Sequence, residues 1–253
     1  CQVDPVYCRH LSRYNQIVTQ RNALLRDLRE RGGAPGQLAF WDEKLADHGA
    51  YLVQRRFGAI QALDGLAYAV HAQLTDGEEQ LHLSYEPSLE VDDEGTAGTL
   101  RQAFQALLLA QRQREIAAGM SLSGPHRDEM RFLIDGMDAG VYGSRGQQRT
   151  AALALKLAEV ELMHSETGEH PVLLLDDVLS ELDARRRSFL MRALEEGPQQ
   201  SVITTTDLHS LPQTFLGRCQ LWQVRSGRLT EMKMERSAAP PASEPVGEAF
   251  LGS

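Results

Sequence analysis

The sequence predicts an α/β chain in two parts: a mostly helical unit over residues 9–117, followed by helices layered on a partly parallel sheet over 118–236. Three observations carry this. Apolar residues recur at three- and four-residue steps from Leu11 to Leu28 and again from Trp41 to Leu74, the spacing of amphipathic helices. After Gly119 the texture changes to short apolar runs that alternate with helical patterns. One of these runs, Val172-Leu173-Leu174-Leu175, is continuous and stops at Asp176-Asp177, as a strand buried on both faces would.

The elements follow in order. Leu11, Tyr14, Val18, Leu25 and Leu28 mark the first helix, which Gly32-Gly33-Ala34-Pro35-Gly36 ends. The second carries Trp41, Leu45, Leu52, Ala59, Leu63, Leu66, Val70 and Leu74, and the tight turn between the two makes a helical hairpin. Leu81 to Tyr85 alternates like a short strand, and an acidic loop leads to a third helix through Leu100, Phe104 and Leu108. Phe132-Leu133-Ile134 is a strand, Asp135-Gly136 a turn, and a second short strand is expected to end near Tyr142. A helix starts at Ser144 with Ala151, Leu155, Ala158 and Leu162 on one face. After the strand at 172–175 come a helix at 184–194, a strand at 202–205 and a hairpin of 221–224 with 229–232, turned at Ser226-Gly227. Residues 237–253, rich in Pro, Ala and Ser, are expected to be a disordered tail.

Composition narrows the functional classes. The 253 residues carry 26 Lys+Arg against 35 Asp+Glu, a net charge of −9, which gives no support for indiscriminate nucleic-acid binding. Residues 1–60 are nevertheless locally basic, with 9 basic and 6 acidic side chains. Arg21, Arg26 and Arg29 on the first helix are the candidates for DNA phosphates, the alternative being a solvated helix face. No apolar run approaches the ~20 residues that span a bilayer, so a soluble, cytoplasmic protein with no membrane partner is expected. Three cysteines without a CxxC pair offer neither a disulfide framework nor a zinc site. Cys1 in place of an initiator Met points to a piece of a longer protein.

Three motifs carry chemistry. A parallel strand delivers its last residues to the carboxyl edge of the sheet, where open α/β folds bind ligands. There Asp176 suits a Mg²⁺ ion held through water, and Asp177 suits the positioning or deprotonation of an attacking water, although paired acids also serve as helix starts. Ser144-Arg145-Gly146-Gln147-Gln148 opens a long helix whose free N–H groups and dipole favour an anion. Capping by Ser144 explains the serine but not the whole run. Ser180-Glu181-Leu182-Asp183 follows the paired acids and is by itself a common capping pattern.

In this order the three are specific. Ser144 to Gln148 resembles the signature motif of ABC-type ATPases, Val172 to Asp177 their Walker B strand, and Ser180 to Asp183 their D-loop. More narrowly, Gly124-Pro125-His126-Arg127-Asp128, Tyr142 to Thr150 and Leu174 to Asp177, with the early Pro5-Val6-Tyr7 and Tyr14-Asn15, are similar to the RecF family of DNA replication and repair proteins.

That resemblance implies an ABC-type ATPase head with an inserted helical arm. Residues 1–8 would end the N-terminal ATPase segment, 9–117 would be the arm, and 118–236 the rest of the head. It implies ATP and Mg²⁺ as cofactors and a homodimer formed around ATP, with Ser144, Arg145, Gly146, Gln147 and Gln148 acting in trans. It also implies binding to single-stranded, gapped or linear duplex DNA, and recombinational repair alongside other mediator proteins. Ser180 and Asp183 would form the D-loop, and Thr206 and Asp207 are candidates for the γ-phosphate switch, since the strand end Thr204-Thr205-Thr206-Asp207 carries no His at the usual switch position. No G-x-x-x-x-G-K-[ST] loop occurs in the sequence, so this stretch alone is expected to be inactive as an ATPase. Two other classes share some of these features: the nucleotide-binding subunit of a transporter, and a non-enzymatic dimerisation scaffold. The long helical unit before the signature opposes the first and the intact acid pair opposes the second.

Overall fold

The structure, a computed structural model, describes residues 3–89, 95–208 and 211–232, and for Glu181 the backbone alone. Helix α1 (Pro5–Arg31) starts where Asp4 accepts the N–H groups of Val6 and Tyr7, with Pro5 in the first turn where its missing N–H costs nothing, and it ends at Gly32 with φ 75°. A short turn leads to α2 (Leu38–Thr75), 38 residues long. Strand β1 (Leu81–Glu86) and α3 (Ala97–Ala118) follow. Then come β2 (Glu129–Ile134), β3 (Met137–Asp138) and α4 (Arg145–Thr167). The remainder is β4 (Leu173–Asp176), α5 (Ala184–Glu196), β5 (Ser201–Thr204), α6 (Gln213–Leu216) and the hairpin β6 (Leu221–Arg225) and β7 (Arg228–Met232). Ser226 and Gly227, at φ 47° and 73°, give that hairpin the turn its strand twist requires.

The described strands form three small sheets. β1, β2 and β3 are antiparallel, β4 and β5 are parallel with Asp176 opposite Thr204, and β6 pairs with β7. The sheet is therefore partly parallel, as the sequence predicts. Strand β3 is shorter than expected: it stops at Asp138, and the chain turns through 139–143 because the N–H groups of Tyr142 and Gly143 bond back to Asp138 and Ala139.

Two main hydrophobic cores share α2. Tyr14, Leu45, Leu52, Leu100, Phe104 and Leu108 join α1 and α3 to its first half, with Gly49 admitting the Phe104 ring where a Cβ would collide with it. Ala67 and Leu74 on its second half belong to the core that holds Leu81, Ile134, Ala154, Leu173, Leu175 and Leu190. Both cores thus draw on α2. β1, placed in the helical unit by sequence, pairs with β2 from Leu81 opposite Ile134 to Glu86 opposite Glu129. Residues 5–8 form the first turn of α1.

The two early motifs meet Gly124-Pro125-His126-Arg127-Asp128 beside the first core. Tyr14 Oη lies 2.8 Å from His126 Nδ1, and Arg56 donates from Nε to Tyr7 Oη at 3.0 Å and from Nη1 to Pro125 O at 2.5 Å. Asp128 accepts from the Ser88 N–H at 2.8 Å and from the Tyr85 hydroxyl. Gly124-Pro125-His126-Arg127-Asp128 is thus the clasp that holds the loop after α3 against α1, α2 and β1. The expected tail, 237–253, lies outside the described residues.

Candidate functional site

The carboxyl edge of β4 and β5 is the first part of the site. Thr204 Oγ1 lies 2.5 Å from Asp176 Oδ1 and accepts the Asp177 N–H at 3.0 Å, so the end of one strand fixes both acids of the other. Asp177 takes a left-handed conformation, φ 50°, which turns the chain sharply off the strand, and both carboxylates are exposed. Ser180 donates to Asp177 O at 2.9 Å and closes that turn. Asp183 caps α5 by accepting the Arg186 N–H at 2.9 Å, and that bond chiefly holds its carboxyl below the usual range. Thr206 and Asp207 follow β5 at the same edge, both exposed, with the Asp207 N–H bonded to Thr205 Oγ1 at 3.2 Å.

One expectation for β4 is corrected. The strand is not buried on both faces: Leu173 and Leu175 are buried but Leu174 is 70% exposed. Its apolar run reflects two faces, of which the described residues cover one.

The start of α4 is the second part. Ser144 and Gln147 form a reciprocal capping box, with Gln147 N–H donating to Ser144 Oγ at 3.2 Å and Ser144 N–H donating to Gln147 Oε1 at 2.9 Å. Gln148 ties the preceding turn down by donating to Ala139 O at 2.9 Å. Ser144, Arg145 and Gly146 are exposed. Ser144 Oγ accepts within the box, which leaves its hydroxyl proton to donate outward, and the first N–H groups of a helix have no carbonyl within it to bond. The arrangement presents donors to an anion.

A metal would have to be shared with a ligand. Among the described residues no group of three His, Cys, Asp or Glu side chains is placed to hold a cation. Asp176 and Asp177 offer hard carboxylate oxygens at an exposed edge, which suits Mg²⁺ completed by water and phosphate oxygens and not a site made by protein alone.

The basic residues separate. Arg21, a DNA candidate by sequence, is fully buried: it donates to Asp42 Oδ1 at 2.8 Å, Ser121 Oγ at 2.8 Å and Glu115 Oε2 at 2.5 Å. Although burial pulls its pKa down, the two carboxylates outweigh it and hold the guanidinium charged. Arg21 is a core ion-network residue and meets no phosphate. Arg26 and Arg29 stay on the exposed side of α1, where Arg29 Nη1 reaches Ala118 O at 3.2 Å. Of the consecutive arginines opening α5, Arg185 pairs with Asp76, Arg186 with Asp183, and Arg187 bonds Leu182 O.

No protein-family model matches the chain. Curated sequences do. It is 43% identical over 232 residues to the DNA replication and repair protein RecF of Chloroflexus aurantiacus, covering 90% of this chain and 59% of that relative. With the RecF of Herpetosiphon aurantiacus it shares 45% over 228 residues, covering 89% and 57%. A solved structure of the recombination mediator protein RecF-ATPrS in the RecFOR pathway superimposes with a TM-score of 0.80 at 32% identity, covering 91% of this chain and 60% of that one. Over nine tenths of its length the chain is thus similar to RecF proteins. It spans about three fifths of the length of the RecF proteins it matches. The fold that the motifs imply, part of an ATPase head with a large helical region, is the fold observed. A second solved structure, RecF-ATP of the same pathway, matches with a TM-score of 0.79. Among the described residues no helix is long and apolar enough to cross a membrane.

Proposed function

We propose that this chain supplies the signature, Walker B and D-loop elements of a RecF protein that binds ATP with Mg²⁺, dimerises around the nucleotide, and acts on gapped or single-stranded DNA in recombinational repair. The observation that carries the reading is the pairing of two complementary surfaces on one chain: an exposed acid pair fixed by Thr204 at the edge of a parallel sheet, and an exposed helix start with outward donors at Ser144. The solved RecF-ATP and RecF-ATPrS structures support a nucleotide as the shared ligand.

In this reading Asp176 would hold Mg²⁺, which would supply charge neutralisation at the phosphates. Asp177 orients the attacking water and accepts its proton. Ser144, Arg145, Gly146, Gln147 and Gln148 of one protomer close over the γ-phosphate held by the other. Ser180 and Asp183 keep the segment after Asp177 in place, and Thr206 or Asp207 senses the γ-phosphate. Arg26 and Arg29 meet DNA phosphates. The protein works in the cytoplasm with the other mediators of its pathway.

The test is ATP-induced dimerisation of the full-length protein, followed by light scattering with a non-hydrolysable ATP analogue. Ser144→Arg places a bulky cation at a positive helix end and in the phosphate's space. The variant should bind the analogue as a monomer and fail to dimerise. An unaltered dimer would reduce Ser144 to a helix cap.

A further inference from the structure

The turn after α2 grips both helices that open onto the site. Asp76 and Gly77, at φ 54° and 74°, reverse the chain at the end of α2. Asp76 then pairs with Arg185 in the first turn of α5, and Glu79 Oε1 accepts from Gln147 Nε2 at 3.0 Å in the first turn of α4. The turn is itself anchored. Glu78 N–H donates to Thr75 O at 3.0 Å, Gln80 N–H donates to Asp135 Oδ1 at 3.0 Å, and Asp135 N–H returns to Gln80 O at 2.9 Å.

The Glu79 bond exceeds what a helix cap needs. Ser144 and Gln147 complete the capping box between themselves, and Glu79 comes from 68 residues earlier. Its effect follows from amide chemistry. The Gln147 side chain has one acceptor end and one donor end, and the Ser144 N–H takes only the acceptor. An ionised carboxylate accepts only, so Glu79 draws the NH₂ end to itself and leaves Oε1 facing the Ser144 N–H. One acceptor on the α2 turn thereby holds the donor end of the Gln147 amide while its other end completes the box with Ser144.

We propose that Glu79 is a positioning residue for the signature, fixing the Gln147 amide so that Ser144 and the first N–H groups of α4 are preset for the γ-phosphate of the partner protomer. The inference rests on the proposed ATP reading for its consequence, but its structural half stands alone. Because α2 runs through both main cores, the same turn links the helical region to the start of α4.

The experiment uses the full-length protein with Glu79→Ala and Glu79→Gln, since Gln keeps an oxygen that accepts from Gln147. Without nucleotide, hydrogen exchange at the Ser144 and Gln147 amides should quicken about tenfold in Glu79→Ala, the scale expected when a charge-assisted bond is removed, and stay within about threefold of wild type in Glu79→Gln. With the non-hydrolysable analogue, Glu79→Ala should need about tenfold more protein to dimerise, Glu79→Gln should recover, and nucleotide binding by the monomer should be unchanged in both. Unchanged exchange in Glu79→Ala overturns the positioning, as does equal impairment of both variants. If wild-type protein fails to dimerise, the ATP reading falls, while the exchange measurement still decides what Glu79 does to Gln147.

Discussion

Thr204 holds Asp176 and Asp177 together: its single hydroxyl bonds the carboxylate of the first and the backbone N–H of the second across a pair of parallel strands. Two residues adjacent in sequence are thereby fixed by one residue 27 and 28 positions later. Thr204→Val keeps the branched shape and removes both bonds. Thr204 is exposed, so stability should change by less than about 1 kcal/mol, while ATP turnover of the full-length protein should fall roughly tenfold as the acids lose their orientation. Steady-state turnover and a thermal melt together check this, and full turnover in the variant would separate Thr204 from the site.

Arg21 should be a stability residue. Replacing it with Met leaves Asp42 and Glu115 without their buried partner, a loss of about 3–5 kcal/mol that lowers the melting temperature by roughly 10 °C. Arg112 retains one bond to Asp42 at 2.9 Å, which places the cost toward the lower end of that range. Differential scanning calorimetry reads the shift, and a melting temperature within about 2 °C of wild type, equivalent to roughly half a kcal/mol, would contradict the network's weight.

Arg26 and Arg29 carry the DNA prediction in its place. Changing both to Gln should weaken binding to all sequences alike and reduce the slope of log affinity against log salt by about 0.9 for each duplex phosphate that the arginines neutralise. A fluorescence-anisotropy salt titration measures the slope. Identical slopes would move the DNA surface off α1.

The acid-base behaviour has a definite sign. Burial holds His71 below the usual imidazole value of 6.5, outweighing the Glu79 carboxylate that raises it. The folded protein therefore keeps His71 neutral while the unfolded chain takes up a proton as pH falls through about 6.5. Its contribution to stability is full above that pH and is lost below it. Melting temperature should decline as pH falls below about 6.5, and less steeply in His71→Gln, with ordinary carboxylate titration adding its own loss lower down. A variant that melts with the same pH dependence as wild type would take His71 out of the linkage.

What the sequence discloses divides along the distance between partners. The placement of Asp176, Asp177, Ser144 and Gln147 is legible because it depends on local geometry: a strand end, a helix start and a capping box that spans one turn. The helices α1 and α2 are legible from their periodicity. The fate of Arg21 is not, because Asp42 and Glu115 lie 21 and 94 residues away and nothing in a basic helical pattern distinguishes a buried guanidinium from a solvated one. The flanking polar residues Asn22 and Ser121, bonded at 2.7 Å from the Ser121 N–H, become informative only once the helices are packed. The same holds for β1, whose alternation predicts a strand but not its partner β2, and for Glu79, whose partner Gln147 lies 68 residues away. Leu174 misleads for another reason: an apolar run has no period, so it cannot tell a face covered by this segment from one left open.

If the edge of β4 completes an ATP-hydrolysing site, as proposed, Asp177→Asn in the full-length protein removes its base. Asn keeps the size and the left-handed backbone preference of Asp177 but cannot accept a proton from water. Steady-state ATP turnover with Mg²⁺ should fall about 10²–10⁴-fold while binding of a fluorescent ATP analogue is retained. Turnover within about twofold of wild type, the range in which no base has been removed, would contradict the account.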